Sequence, residues 1–266
     1  MKSALKLAAA LALALPFASQ AHDTWMVPSS TVLSGVDSWI TVDAAVGNDK
    51  FYFNHAPLRL DGLAVTAPDG SAAEAENVNR GKLRSTFDLQ LKQSGTYRVA
   101  VVNEGVFARW KEDGKPKRYF GKPEGLEKAL PAKADDLEVS QSAGRVETFV
   151  TAGKPTPVKP VGRGLELAPV THPNDLYAGE EATFQFLLDG QPAADLGVTV
   201  VPGGSRYRDK IGEIELKTDK NGKFSVKWPQ PGLYWVEARA EDAKVSVPKA
   251  TKRRLSYSGT LEVLQP

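Results

Sequence analysis

Residues 83–91 alternate with a period of two. Leu83, Phe87, Leu89 and Leu91 fall on one face, and Arg84, Thr86, Asp88 and Gln90 on the other. Successive side chains of a strand point to opposite faces, so this pattern fits a half-buried strand and no helix. The signal recurs. Gly95 punctuates the chain, and residues 96–102 then present Tyr97, Val99 and Val101 on one side. Residues 39–46, 63–67, 106–111 and 146–151 supply further short strands between Gly, Pro, Asn and Asp turns. One short helix is predicted over 123–130, because Pro123 suits a first helical turn and Pro131 stops it. Short strands at this spacing predict a β-sandwich.

Near Gly153 the composition shifts. Residues 154–160 carry three prolines, Pro155, Pro157 and Pro160, which favours an extended, semi-rigid linker. Strand signals then resume at 165–170, 182–188, 197–201, 211–218, 223–228, 233–240 and 259–264. The segment Asp219-Lys220-Asn221-Gly222 predicts a hairpin turn, with Gly222 supplying positive φ. Asp219 and Asn221 resemble the start of a calcium loop, but the remaining acidic ligands are missing, so the turn is the better reading. Pro231-Gly232 makes the next turn, after which Tyr234 starts a strand into the core.

Residues 1–21 read as a secretory signal peptide. Lys2 and Lys6 charge its front, an apolar run covers 7–17, and Ser19-Gln20-Ala21 offers small residues for cleavage. The run falls short of the roughly 20 apolar residues a membrane span needs. The expected organisation is therefore a cleaved leader (1–21), a first β-sandwich with an insertion (22–153), a Pro-rich linker (154–162) and a second immunoglobulin-like sandwich (163–266). Losing the leader removes two lysines and no acid, leaving 32 basic against 32 acidic residues. A neutral mature chain argues against nucleic-acid binding, and no later stretch predicts membrane insertion. Export to a bacterial periplasm is the expectation. With 0 cysteines, disulfides, thiolate nucleophiles and thiolate metal sites are excluded. No nucleophile elbow, phosphate loop or zincin helix occurs.

The chain has 3 histidines, and cleavage after Ala21 makes His22 the first residue of the mature protein. A free α-amine and the Nδ1 of the same residue close a six-membered chelate ring on a metal ion, which no internal histidine can do. One opposing imidazole completes a three-nitrogen site. Such donors suit Ni, Co, Cu and Zn, with Cu(II) strongest by affinity. His55, in the aromatic-flanked segment Phe51-Tyr52-Phe53-Asn54-His55-Ala56-Pro57, is the candidate partner. Asp23, Asp43 and Asp49 are candidate carboxylate ligands or supports for them. His172, in Thr171-His172-Pro173-Asn174-Asp175, reads as a turn residue, or as a ligand only if the two halves fold together. The alternative is that cleavage leaves a histidine first by accident and that His55 bonds a turn.

The opening His22-Asp23-Thr24-Trp25-Met26-Val27-Pro28 resembles the start of a family of bacterial periplasmic proteins. The match continues through Gly164-Leu165-Glu166-Leu167-Ala168-Pro169, Leu176-Tyr177-Ala178-Gly179 and Pro231-Gly232-Leu233-Tyr234. That family is a domain of unknown function, often labelled a periplasmic component of nickel or cobalt uptake. Its second-half turns are similar to those of prealbumin-like and immunoglobulin-like accessory modules. The resemblance implies a secreted two-domain β protein that handles one transition-metal ion (Ni, Co or Cu) for an outer- or inner-membrane transporter. It places His22 at the family's leading histidine and His55 where a metal-linked histidine is expected. The expected role is non-enzymatic. Two rivals stay open: a metal-free module that docks an envelope protein or glycan through surface aromatics such as Trp110 and Tyr119, and a mononuclear copper enzyme using the same His22 and His55.

Overall fold

A computed structural model of the chain describes residues 23–266. The expected leader and His22 lie outside the described residues. The first half contains β1 (Asp23–Pro28), β2 (Val32–Leu33), β3 (Ser38–Gly47), β4 (Ala56–Pro57), β5 (Leu63–Thr66), β6 (Ala72–Ala73), β7 (Glu76–Arg80) and β8 (Ser85–Leu91). Then come β9 (Gly95–Glu112), β10 (Lys115–Gly121), α1 (Pro123–Ala129) and β11 (Asp135–Ala152). The second half adds β12 (Leu165–Pro169), β13 (Glu181–Leu188), β14 (Gln191–Pro192), β15 (Gly197–Pro202), β16 (Ile214–Lys217), β17 (Lys223–Lys227), β18 (Gly232–Asp242) and β19 (Lys252–Val263). The protein is all-β, with its sheets packed face to face as sandwiches.

Three sheets form. The first runs β1-β3-β8-β7, with β4 also on β3. The second has ten strands, in the order β16-β15-β18-β19-β11-β9-β5-β6, with β10 on β9 and β2 on β11. The third joins β12, β14 and β17 to β13. The second sheet therefore passes through both halves, and its junction is the parallel pair β11–β19, in register from Ser140↔Lys252 to Thr148↔Thr260. Alternation along β11 decides what each face does. Val146, Val150 and Ala152 enter a core with Met26, Ile40, Val42, Phe87 and Leu89 of the first sheet. Phe149, pointing the other way, enters a core with Phe184, Phe186, Trp228, Tyr234 and Tyr257. The first and third sheets thus pack on opposite faces of one central sheet.

The short strands expected at 96–102, 106–111 and 146–151 belong to two 18-residue strands, β9 and β11. Asn103 and Glu104 are exposed and break the apolar alternation, so the sequence signal lapses where the backbone ladder does not. The hairpin β9–β10 turns at Asp113-Gly114, both at positive φ (50° and 73°). Trp110 corrects the expectation of a surface aromatic: it is 7% exposed, in a small core with Val106, Ala108, Leu126 of α1 and Val139. The 219–222 turn forms as expected, with Asp219 Oδ1 accepting the Asn221 and Lys223 N–H groups.

A charged cluster lies beneath the linker. Glu147 of β11 is fully buried, with Arg98 Nε 3.0 Å and Arg145 Nη1 3.5 Å from its Oε1, and Tyr257 donates to Oε2 at 2.9 Å. Arg98 and Oε1 sit close as charges but off hydrogen-bonding angle. Burial pushes the Glu147 carboxyl up, and the two guanidiniums pull it back down. Arg98 Nη1 also donates to Lys159 O at 2.9 Å, and Val161 and Gly162 N–H donate to the buried Glu166 carboxylate at 2.6 Å each. The Pro-rich stretch is therefore pinned to both halves. Removing one partner from a buried cluster strands the others without compensation. Glu147→Ala should cost about 3–5 kcal/mol in denaturant unfolding, and Glu147→Gln less, because the amide can still accept from Tyr257. An alanine variant as stable as the wild type would contradict this account of the cluster.

Candidate functional site

The start of β1 is fixed from three directions. Its register on β3 sets Asp23 opposite Gly47 and Trp25 opposite Ala45. Trp25 is fully buried with Ala45, Val201 and Trp235, and meets Phe51 edge-on at 6.1 Å. Trp235 Nε1 donates to Thr24 O at 2.9 Å, tying the strand to β18. Lys50 supplies the third tie. Its ammonium donates to the Asp23 carboxylate and lies 4.5 Å over the Trp235 ring, and both charged side chains are 14% exposed. Gly47 has no room for a side chain, since a Cβ would lie 2.6 Å from Asn54 Oδ1 and 2.7 Å from the Trp25 ring. That space lets the 48–55 loop fold back across the strand end with Phe51 and Phe53 against the Trp25 cluster.

His55 emerges from this loop. Ala56 pairs with Val46 on the other side of β3, so His55, one residue earlier, is level with Gly47. Asp23 is level with the same residue on the opposite side. Two inter-strand spacings put the two backbones about 10 Å apart. His55 is exposed. The carboxylates singled out from the sequence are all engaged by cations. Asp23 holds Lys50, Asp43 is 3.2 Å from Arg84 Nε, and Asp49 accepts from Asn54 at 3.0 Å with Arg206 Nε at 3.7 Å. Among the described residues, no group of three or more His, Cys, Asp or Glu could hold a metal ion.

His172 sits elsewhere. Thr24 bonds Ser258, which pairs with Val146, whereas His172 joins a cluster at Thr151, five residues further along β11 or about 17 Å. Its Nε2 lies 2.9 Å from Thr96 Oγ1 and 3.2 Å from Thr156 O, and its Nδ1 accepts the Asn174 N–H at 3.2 Å. A carbonyl only accepts, so Nε2 carries the proton and Nδ1 is the acceptor. The ring thereby joins the first half, the linker and the second half. Sequence reading missed Lys50 and Gly47, which carry no local signature. Trp235 was legible in principle, because a strand that buries Tyr234 must turn Trp235 to the opposite face.

Burial holds the His172 ring below its ordinary range, with the Thr156 carbonyl and Asp175 acting against it. The unfolded chain then binds a proton at a higher pH than the folded chain does. The stability from neutral His172 is complete above the unfolded value near 6.5 and declines as pH falls through and below it. Thermal melts between pH 7.5 and 5.5 should show the wild type losing stability and His172→Asn losing less. Parallel declines in the two proteins would contradict the assignment.

No curated protein matches this chain. Solved structures that align over most of it include the D0-D1 domain of Intimin, at 14% identity over 90% of this chain and 97% of that one, TM-score 0.23. The human OSCAR ligand-binding domain aligns at 12% identity over 91% and 99%, TM-score 0.19. Escherichia coli alpha-2-macroglobulin activated by porcine elastase aligns at 10% over 90% and 31%, TM-score 0.22. A family model described as "Domain of unknown function (DUF4198)" matches residues 19–242. The chain belongs to that family.

Proposed function

We propose that the exported protein, with residues 1–21 removed, carries one transition-metal ion in the periplasm. Its α-amine, the imidazole of His22 and the imidazole of His55 would hold the ion, and the cargo would pass to a membrane transporter for nickel, cobalt or copper. The observation behind this reading is the level placement of Asp23 and His55 on either side of Gly47, at the strand end where the mature chain would begin. Backbones about 10 Å apart are within the span that two imidazoles on one ion can bridge. Because Asp23, Asp43 and Asp49 already face cations, the donors are nitrogens. Such a set favours late first-row metals over Mg or Ca. The Lys2–Lys6 front, the apolar run and Ser19-Gln20-Ala21 support export. The role is carriage: tight binding with no turnover.

The test is titration with Cu(II) and Ni(II), read by native mass spectrometry, on protein exported through its own leader. One equivalent should bind. It should be lost in His22→Ala, in His55→Ala, and in a variant with one glycine inserted before His22, which removes the amine from the chelate ring. Binding should weaken as pH falls through about 7.7–8.0, where the amine gains its proton. Absence of stoichiometric binding, or binding indifferent to all three changes, would overturn the proposal.

A further inference from the structure

Among the described residues, nothing covers one face of the central sheet where β18 and β19 emerge beside β1. Glu237, Arg239 and Glu241 of β18 line that face beyond the buried Trp235, and the strand registers set Ser258 beside Glu237 and Ser256 beside Arg239. Gly144 of β11 comes next to Ser256. The result is a groove of ≈ 610 Å³, with Asp23 at one margin and Phe120 of the β10 hairpin at another. That volume falls within the range of small-molecule and cofactor sites. We infer that this groove binds a neutral, polyhydroxylated ligand, an oligosaccharide.

Its floor is kept low by Ser142, Gly144, Ser256 and Ser258. A Cβ on Gly144 would already stand 3.1 Å from Ser256 Oγ. Among the described residues, the side chains of Ser142, Ser256 and Asn103 have no protein partner, so two hydroxyls and an amide offer both donors and acceptors. Charge does not select the ligand. Arg239 donates to Glu237 at 2.7 Å, Arg254 to Glu241 at 3.2 Å, and Lys50 to Asp23. Each acid lining the groove thus has its own base, and an anion or cation finds no net field to enter. Phe120, 71% exposed, adds an apolar ring face. Hydroxyls, an amide and one aromatic face match a sugar ring, which carries hydroxyls on its rim and C–H groups on its faces. A peptide adding as a strand needs free backbone groups, and here the floor is a sheet face whose backbone is already paired.

The groove is independent of the metal reading, so each can fail without the other. Calorimetric titration of the exported protein with maltohexaose, cellohexaose and chitohexaose should find at least one binder with Kd at or below about 1 mM. Phe120→Ala and Ser256→Trp should each weaken it at least roughly ten-fold. Phe120 is exposed, so its variant tests the site even if the tryptophan disturbs folding. The inference is overturned if none of the three binds at about 10 mM. Binding unaffected by Phe120→Ala, or tighter binding of hexa-aspartate or hexalysine, would overturn it as well.

Discussion

Everything in this molecule hangs on a strand that is buried on both faces. β11 gives Val146, Val150 and Ala152 to one core and Phe149 to the other, and pairs antiparallel with β9 and parallel with β19. A one-residue slip would exchange the two sets of side chains, sending Phe149 into the wrong core and Val146 toward the charged cluster. The two sandwiches therefore specify each other's register. Each burial of a Val- or Phe-sized side chain contributes about 1.5–3 kcal/mol, so the strand is held from both sides by many small terms. Glu147, on the Phe149 face, adds a polar constraint that Arg98, Arg145 and Tyr257 must satisfy together.

That arrangement explains why the start of β1 is so firmly placed. Packing two sheets on opposite faces of a third leaves a step between them, and β1 runs along it. Trp25 and Trp235 fill the step from the two halves, and Lys50 bridges them by joining the Asp23 carboxylate to the Trp235 ring. A strand terminus in most sandwiches frays. Here it is fastened to both halves within its first three described residues. The same step creates the hydroxyl-lined groove beside Asp23.

Much of this was legible in the sequence, and the failures have physical causes. Alternation found β8 at Ser85–Leu91 with its Phe87, Leu89 and Leu91 inside, although Leu83 lies before the strand and is exposed. Pro123 and Pro131 bounded the helix to within a residue. Strand lengths were missed because β9 and β11 run from one core to another through Asn103, Glu104, Ser142 and Gly144, where polar residues and glycine read as loop. Trp110 was named as a surface aromatic in the docking rival, whereas Leu126 of α1 packs against it in a small core. The linker's prolines predicted extended chain, but nothing local signals that Arg98, 61 residues away, would bind it. His55 was singled out for its aromatic-flanked segment ending in Pro57, and the strand register sets it level with Gly47. His172 was read as a turn residue, and only the fold shows it joining three segments.

The central claim is that a shared strand makes two sandwiches into one cooperative unit. Differential scanning calorimetry of the intact protein tests it most directly. If β11 serves both cores, the protein should melt in a single transition whose calorimetric and van't Hoff enthalpies agree. Two resolved transitions, or a calorimetric enthalpy about twice the van't Hoff value, would show that the halves unfold separately and contradict the account.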